Sequence, residues 1–253
     1  MSDAGGLTER DVPERAGRSG RGWAAVALLL FVPVPTLGVL LPLWLGDHPM
    51  GKASYFLAKA WIYLLPAIWL LAVDRQRLSW SPPRQGGFVV GAVSGLVISG
   101  IIIAAYWLVG RHLIDETAAR EAVAELGLTS LPVYLGLAAF ITVFNALMEE
   151  YMWRWFVYTR FERLLRGSAA QLSRVGVAAA IVLAALAFGV HHFIAVVIPY
   201  GLVIALLATL GVCIGGVWWS WMYARYRSVW PAYLSHAIVD IGVFVVGYWI
   251  LFA

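Results

Sequence analysis

The sequence predicts an all-α membrane protein, a polytopic bundle of about seven transmembrane helices. Of its 253 residues, 62% are hydrophobic and only 13% are charged, and the mean hydropathy is +0.81. Soluble domains are about half apolar and about a quarter charged, so this chain has too few charges to coat a water-facing surface. This composition excludes a disordered chain and a nucleic-acid-binding protein. The single cysteine also excludes a domain held together by intrachain disulfides.

Seven stretches of the chain are long and apolar enough to cross a membrane, which takes about 20 residues of helix. They are residues 23–45, 54–73, 88–109, 132–155, 175–198, 201–223 and 229–251. Pro33, Pro35 and Pro42 are expected to kink the first stretch, because proline removes a helical hydrogen bond. Gly91 and Gly95, and likewise Gly211 and Gly215, have the spacing that lets two membrane helices pack closely.

We predict three parts of the chain. Residues 1–22, rich in glycine and in charges of both signs, are predicted to form a disordered cytoplasmic tail. Residues 23–131 hold the first three transmembrane helices and their loops, and residues 132–253 form the helix bundle that carries the candidate site.

The distribution of arginine predicts the orientation. The tail and the loops after the second, fourth and sixth stretches hold most of the arginines, whereas the opposite loops hold only Lys52, Arg111 and Arg120 as basic residues. Basic loops stay in the cytoplasm, so we expect an integral protein of the cell membrane with a cytoplasmic N-terminus and an external C-terminus.

Ionisable side chains inside the membrane are costly, and their usual explanation is function. Here they are concentrated in the last four stretches, where we expect the active-site cavity. The polar candidates, in chain order, are Asn145, Glu149, Glu150, Arg154, His191, His192, His236 and Asp240. The first three stretches hold only Lys59, which we interpret as a lysine near the membrane boundary whose charge reaches water.

Helical geometry relates these residues to one another. Residues four apart share a face, so Glu150 pairs with Arg154 and Asn145 lies one turn before Glu149. His236 and Asp240 form a third such pair, and both are expected to face one point.

Adjacent residues on a helix diverge by about 100°, so neighbours in sequence are expected to differ in role. Glu149 and Glu150 therefore have different tasks, one fixed by Arg154 and the other facing a water-filled cavity. By the same geometry, only one of His191 and His192 is expected to reach the shared site.

A buried carboxylate beside neutral imidazoles can activate water for attack on a carbonyl group. Two histidines with a carboxylate also form a divalent-metal site with one open position, zinc being the typical ion. Both arrangements lead to hydrolysis, and the spacing alone leaves the choice between them open.

Three short motifs carry a family resemblance. Glu-Glu-x-x-x-Arg at 149–154, Phe-x-x-x-His at 188–192 and His-x-x-x-Asp at 236–240 resemble the motifs of the CPBP intramembrane proteases. This is the CAAX-processing and bacteriocin-processing (Abi) family, related to the Rce1-type prenyl-protein protease. The resemblance covers residues 132 to the C-terminus, so this part is expected to be a CPBP-like catalytic bundle.

The resemblance implies a role for each motif residue. Glu149 and His192 would hold and activate the water. His236, with Asp240, would polarise the scissile carbonyl, or complete a metal site together with Glu149 and His192. The supporting residues would be Glu150 and Arg154, which brace the first motif, Phe188, which shapes the pocket, and Asn145.

The chain departs from the family pattern in two places. Rce1-like proteins often have asparagine where this chain has Asp240, and an ionised aspartate cannot donate a hydrogen bond to an oxyanion. Asp240 must therefore be protonated, orient His236 or bind a metal. Trp153 and Trp155 flank Arg154 where the family usually has Phe-Arg-Gly, which changes the cavity wall and leaves a prenylated substrate an open question.

We therefore expect an intramembrane endopeptidase whose partners are the lipid bilayer and a membrane-embedded or lipid-anchored protein or peptide, with no nucleic-acid partner. Two alternatives use the same buried polar residues. One is a proton-coupled transporter, and the other is a non-catalytic immunity or binding protein on the same scaffold.

Overall fold

The computed structural model describes residues 20–46, 48–125, 129–166 and 171–253, and most of these residues are helical, with no strand among them. Most of the predicted disordered tail, residues 1–19, lies outside the described residues. The first helix begins at Arg21, two residues before the predicted first stretch.

Seven helices in the described part of the chain are long and apolar enough to cross a membrane, which confirms the predicted polytopic all-α bundle. We number these spans 1 to 7 in chain order. Their bounds are Arg21–Leu45, Pro49–Val73, Phe88–Leu113, Leu131–Arg166, Arg174–Ile198, Tyr200–Tyr226 and Trp230–Phe252.

The first three spans each consist of more than one helical segment. Span 1 breaks at Val32, directly before the first of its prolines, as predicted. The segments, with π-helical turns marked, are Arg21–Phe31, Pro33–Leu45, Pro49–Ile68, Trp69–Val73 (π), Phe88–Ala105, Tyr106–Gly110 (π) and Arg111–Leu113. A separate helix, Glu116–Glu125, connects spans 3 and 4.

Span 4 alternates between α- and π-helix along its length. Its segments are Leu131–Phe140, Ile141–Asn145 (π), Ala146–Glu149, Glu150–Tyr158 (π) and Thr159–Arg166. The two adjacent glutamates therefore lie where a short α-helical segment passes into a long π-helical one. Such π segments are frequent at functional sites, because they change the direction in which successive side chains point.

The last three spans run through two helical stretches. Arg174–Tyr226 contains spans 5 and 6, and Gly201, with a φ of 76°, interrupts the helix between them. A positive φ is accessible to glycine without steric cost, so this residue allows the chain to reverse. Span 7 is a single helix, Trp230–Phe252.

Span 3 packs closely along span 7. A Cβ atom on Gly91 would overlap the carbonyl of Pro231, and one on Gly95 would lie 2.9 Å from the carbonyl oxygen of Ser235. One turn further on, the Ser99 hydroxyl donates a hydrogen bond of 2.8 Å to a span 7 carbonyl. The predicted small-residue packing is therefore present at Gly91 and Gly95, where span 3 supports the span that carries His236. It is not present at Gly211, whose Cβ position has no atom of the described residues within 4 Å.

A buried ion-pair cluster joins the end of span 2 to the end of span 4. Arg160 Nη2 lies 2.6 Å from Asp74 Oδ2, and Arg163 Nη1 lies 3.0 Å from the same oxygen. Asp74 and Arg160 are both buried, so this cluster fixes the end of span 4 relative to span 2.

Candidate active site

Polar side chains from spans 4, 5 and 7 meet in the interior of the bundle. His236 of span 7 lies between the carboxylates of span 4: its Nδ1 is 2.8 Å from Glu150 Oε1, and its Nε2 is 3.8 Å from Glu149 Oε2. Asp240, one turn later, has Oδ1 3.7 Å from the same Nε2. The first and third motifs of the sequence therefore form one site.

Glu149 is held by the residue one turn before it. Asn145 Nδ2 donates a hydrogen bond of 2.8 Å to Glu149 Oε1, which is the pairing that the four-residue spacing predicts. This bond leaves Oε2 as the oxygen that faces His236. Asn145 thus orients the carboxylate, which is the supporting role expected for it.

Glu150 and Arg154 form a fully buried ion pair. Arg154 Nη1 lies 3.3 Å from Glu150 Oε1, and their side chains are 1% and 0% exposed. The guanidinium carbon also lies 4.6 Å from the ring centroid of Phe188 and 5.1 Å from that of Trp219. Aromatic faces attract cations, so the two rings and one carboxylate offset part of the cost of burying this charge. All three guanidinium nitrogens lack a hydrogen-bond partner among the described residues.

The tautomer of His236 follows from its partner. The ion pair with Arg154 favours the ionised form of Glu150, and an ionised carboxylate can accept hydrogen bonds but cannot donate them. Nδ1 of His236 therefore carries a proton and donates a hydrogen bond to Glu150. Nε2 then points towards Glu149 and Asp240. Trp219 covers the ring, with centroids 4.0 Å apart and planes 16° from parallel, so both the rotation and the tilt of the imidazole are restricted.

His192 is oriented by its own helix. Its Nδ1 lies 2.9 Å from the carbonyl oxygen of Phe188, which can only accept, so Nδ1 carries the proton. In the neutral ring, Nε2 is then free as an acceptor or as a metal ligand. The Phe188 ring packs against it with centroids 4.6 Å apart, which agrees with the expectation that Phe188 shapes the pocket.

His191 also reaches the site, which differs from the expectation that only one of the two histidines does so. The rings of His191 and His192 have centroids 4.1 Å apart, and His191 lies parallel to Trp153 at 5.5 Å. The divergence of about 100° applies to the Cα–Cβ bonds. The side-chain torsions then turn both rings towards the same space.

The donor atoms of Glu149, His191 and His192 lie within 4.8 Å of one another. Two imidazoles and a carboxylate are a set that zinc accepts, with one position left open. The hydrogen bonds from His192 to a carbonyl and from Asn145 to Glu149 are the outer partners that orient metal ligands. The chemistry of this donor set therefore fits a divalent metal. His236, which the sequence analysis placed in the ligand set, lies opposite it across Glu149.

A cavity of ≈ 90 Å³ opens beside Glu149 and His191. As expected, the polar site residues come from the last four spans, but spans 1 and 2 also wall the cavity. It is lined by Phe31, Pro35, Gly38, Val39, Tyr55, Ala58, Lys59, Ile62, Asn145, Glu149, Met152, Trp153 and His191. The reacting part of a substrate would therefore contact the first two spans as well.

Lys59 does not lie near the end of its span, which corrects the interpretation of it as a boundary lysine. The helix begins at Pro49 rather than at the predicted residue 54. Lys59 is therefore ten residues after the start of span 2, a distance of about 15 Å at 1.5 Å per residue. Lys59 thus lies well inside the apolar helix rather than at its end, and its side chain lines the cavity.

Asp240 has one oxygen near His236 and one without a partner. Oδ2 is buried and accepts no hydrogen bond from the described residues. A carboxylate oxygen in this position has the capacity to accept a proton or a substrate N–H group.

The contacts also show how the helices are offset. His236 lies six residues after Trp230, whereas His192 lies eighteen residues after Arg174. Both side chains nevertheless surround Glu149, so the start of span 5 extends beyond the start of span 7 or the two helices cross obliquely. Straight helices with level ends would keep His192 and His236 at different depths and so keep the motifs apart.

Comparison with known proteins agrees with the geometry. Residues 131–242 match the family model described as type II CAAX prenyl endopeptidase Rce1-like. The matched segment contains all three motifs, including both Glu149 and Asp240. No curated protein and no solved structure matches the chain significantly.

Proposed function

Because residues 131–242 match the Rce1-like protease family model, we propose that the protein is an intramembrane endopeptidase. Its substrate is a membrane-embedded or lipid-anchored protein or peptide, in which it hydrolyses one peptide bond. The observation that carries the proposal is the position of Glu149: its carboxylate faces His236 and His192 beside a cavity inside the bundle.

In the proposed reaction, Glu149 acts as the general base. A water molecule held by Glu149 Oε2 and by Nε2 of His192 attacks the scissile carbonyl carbon, and Glu149 takes one of its protons. The carbonyl oxygen becomes an oxyanion as the new C–O bond forms. The proton on Glu149 then passes to the amide nitrogen, the C–N bond breaks, and a carboxyl and an amine product leave.

His236 is the proposed oxyanion donor. With Nδ1 bound to Glu150, the ring donates from Nε2 when it is protonated, and the negative carboxylate of Glu150 stabilises that form. Glu150 in turn is held by Arg154. Glu150 and Arg154 thus act as positioning residues. Asp240 lies beside the donor atom, with Oδ1 3.7 Å from Nε2 of His236.

A divalent metal is the second arrangement that an observation favours, namely the convergence of Glu149, His191 and His192. A bound zinc ion would polarise the water and the carbonyl oxygen. In that case these three side chains hold the ion, and His236 remains the donor to the oxyanion. The family match supports hydrolysis in either arrangement over proton-coupled transport or non-catalytic binding.

The test uses purified protein in proteoliposomes with a fluorogenic peptide attached to a farnesyl group and a second peptide carrying a transmembrane helix. We expect wild type to cleave one of them and Glu149→Gln to lose about 10²–10⁴-fold in rate, the usual value of a general base. Glu116→Gln, outside the site on the helix after span 3, is the matched control. Equal rates for wild type and Glu149→Gln, with both folded, would reject the mechanism.

We further propose that the N-terminus is cytoplasmic and the C-terminus external, on the distribution of arginine. Reporter fusions at Ala253 and in the loop before Phe88 test this. The proposal requires the loop reporter, which follows span 2, in the cytoplasm and the Ala253 reporter, which follows span 7, outside the cell. The reverse placement would contradict it.

A further inference from the structure

Lys59 is a partly buried, charged residue that the proposed mechanism does not use. It lies near the middle of span 2, and its side chain is partly buried in the wall of the cavity that Glu149 and His191 also line. A lysine at this depth is energetically costly, and such residues typically face a polar cavity and serve a ligand or an ion.

Within the described residues, Lys59 has no acidic partner. The ion pairs found there involve other cations, none of them Lys59. Its ammonium nitrogen lies 5.7 Å from the ring centroid of Tyr55, a contact that supplies only part of what a desolvated cation requires. The charge is therefore available to an anion that enters the cavity.

We propose that Lys59 binds a carboxylate of the substrate next to the bond that is hydrolysed. This inference rests on the proposed function and names a feature of its substrate. Because Lys59 and Glu149 line one cavity of ≈ 90 Å³, a substrate whose carbonyl lies against Glu149 has its neighbouring groups within reach of the lysine.

The position of Lys59 favours a carboxylate over a lipid phosphate. Lipid phosphates lie outside the hydrocarbon layer, which is about 30 Å thick, whereas Lys59 is about 15 Å from the start of its span. In an unmodified peptide the anionic groups are carboxylates, either at the C-terminus or on Asp and Glu side chains.

The first experiment measures binding without cleavage. Four dansylated, farnesylated peptides of one sequence are titrated into the full-length Glu149→Gln protein in micelles. Two differ in a free or amidated C-terminus, and two, both amidated, carry Asp or Asn after the candidate bond. We expect one acid to bind about tenfold more tightly than its neutral partner, because only the acid can form a charge-assisted hydrogen bond with the lysine. The pair that shows the difference identifies the source of the carboxylate.

Substitution then assigns the preference to Lys59. Adding Lys59→Gln should remove the difference between acid and neutral peptide, and Lys59→Arg should keep it. Lys52→Gln, on the same helix but exposed, is the matched control and should also keep the difference. Equal affinities for acid and neutral peptides, a preference that survives Lys59→Gln, or no binding of any peptide would each overturn the inference.

A cleavage assay separates this inference from the proposed function. If wild type cleaves no peptide while the Lys59-dependent preference is present, the proposed function fails and the carboxylate site stands. If wild type cleaves acid and amide with the same KM, the function stands and the carboxylate site is wrong. A counter-ion role of Lys59 towards Glu149 would instead shift the pH profile of kcat equally for both peptides, which would also contradict the inference.

Discussion

Nδ1 of His236 lies 2.8 Å from Oε1 of Glu150, and this hydrogen bond joins the first and third sequence motifs across the bundle. The same carboxylate is paired with Arg154. Glu150 therefore connects a buried cation to the imidazole that faces Glu149. Its role is to hold charge and orientation in place, while its neighbour is free to act on water.

The buried pair of Glu150 and Arg154 should be strongly coupled. Glu150→Gln leaves the arginine buried without a counter-charge, and we expect it to lower the free energy of unfolding by about 3–5 kcal/mol. Arg154→Met leaves Glu150 buried without its counter-charge and should lower the free energy of unfolding by a similar amount. Reversible unfolding in mixed micelles, followed by tryptophan fluorescence, measures both.

The double variant Glu150→Gln/Arg154→Met completes this thermodynamic cycle. Because no unpaired charge remains, its loss of stability should be well below the sum of the two single losses. Losses that simply add would show that the two residues are not energetically coupled.

Trp219 should act as a positioning residue for His236. Its ring stacks on the imidazole, and its Nε1 donates a hydrogen bond of 3.1 Å to Ser235, the preceding residue. Trp219→Phe keeps a stacking face and should retain most of kcat, whereas Trp219→Ala frees the imidazole and should lower kcat with little change in KM.

The control for this pair of variants is Trp221→Ala, a partly exposed tryptophan on the same helix. A loss in Trp219→Ala that is confined to stability, with kcat of the folded fraction unchanged, would argue against a positioning role.

His191→Phe separates the two ways of activating water. Phenylalanine retains a flat ring against Trp153 but offers no ligand atom. If Glu149 and His192 act without a metal, the loss in kcat/KM should stay well short of the about 10²–10⁴-fold expected for a general base. We expect this smaller loss, together with unchanged metal content by plasma mass spectrometry. A loss as large as that of His192→Ala, with loss of one bound zinc, would favour the metal arrangement.

Close packing of spans 3 and 7 should be sensitive to volume at Gly91. Gly91→Leu drives a side chain into the Pro231 carbonyl and should destabilise the fold by about 1–3 kcal/mol, as overpacking usually does. Gly100→Leu is the control, because no atom lies within 4 Å of its Cβ position. Equal stability of the two variants, measured by unfolding in micelles, would mean that the helices separate at little cost.

Much of the fold was predictable because the membrane imposes simple rules on sequence. Apolar length predicts the spans, and Pro33 predicts the break in span 1. The pairs Asn145–Glu149 and Glu150–Arg154 followed from helical spacing, and both are present. These features depend on one helix at a time, which is what periodicity describes.

Features that depend on side-chain torsions or on neighbouring helices were not predictable. Nothing in the sequence distinguishes Trp219 from the other twelve tryptophans, because its role follows from the arrangement of spans 6 and 7. The expectation that only one of His191 and His192 reaches the site was wrong, because it considered Cα–Cβ directions and ignored ring rotation. Lys59 did carry a signal, since it is the one charged residue predicted within the first three spans. Its helix was predicted to begin at residue 54 but begins at Pro49, so Lys59 lies further from the end of the span than expected.

The central claim is that Glu149 acts as the base in peptide-bond hydrolysis, and one comparison tests it most directly. Cells expressing wild type or Glu149→Gln at matched levels are compared by mass spectrometry for the termini of membrane proteins and peptides. We expect one pair of new termini with wild type that is missing with Glu149→Gln, which would also identify the substrate and the bond. New termini at equal abundance with both proteins would contradict the assignment of Glu149 as the base.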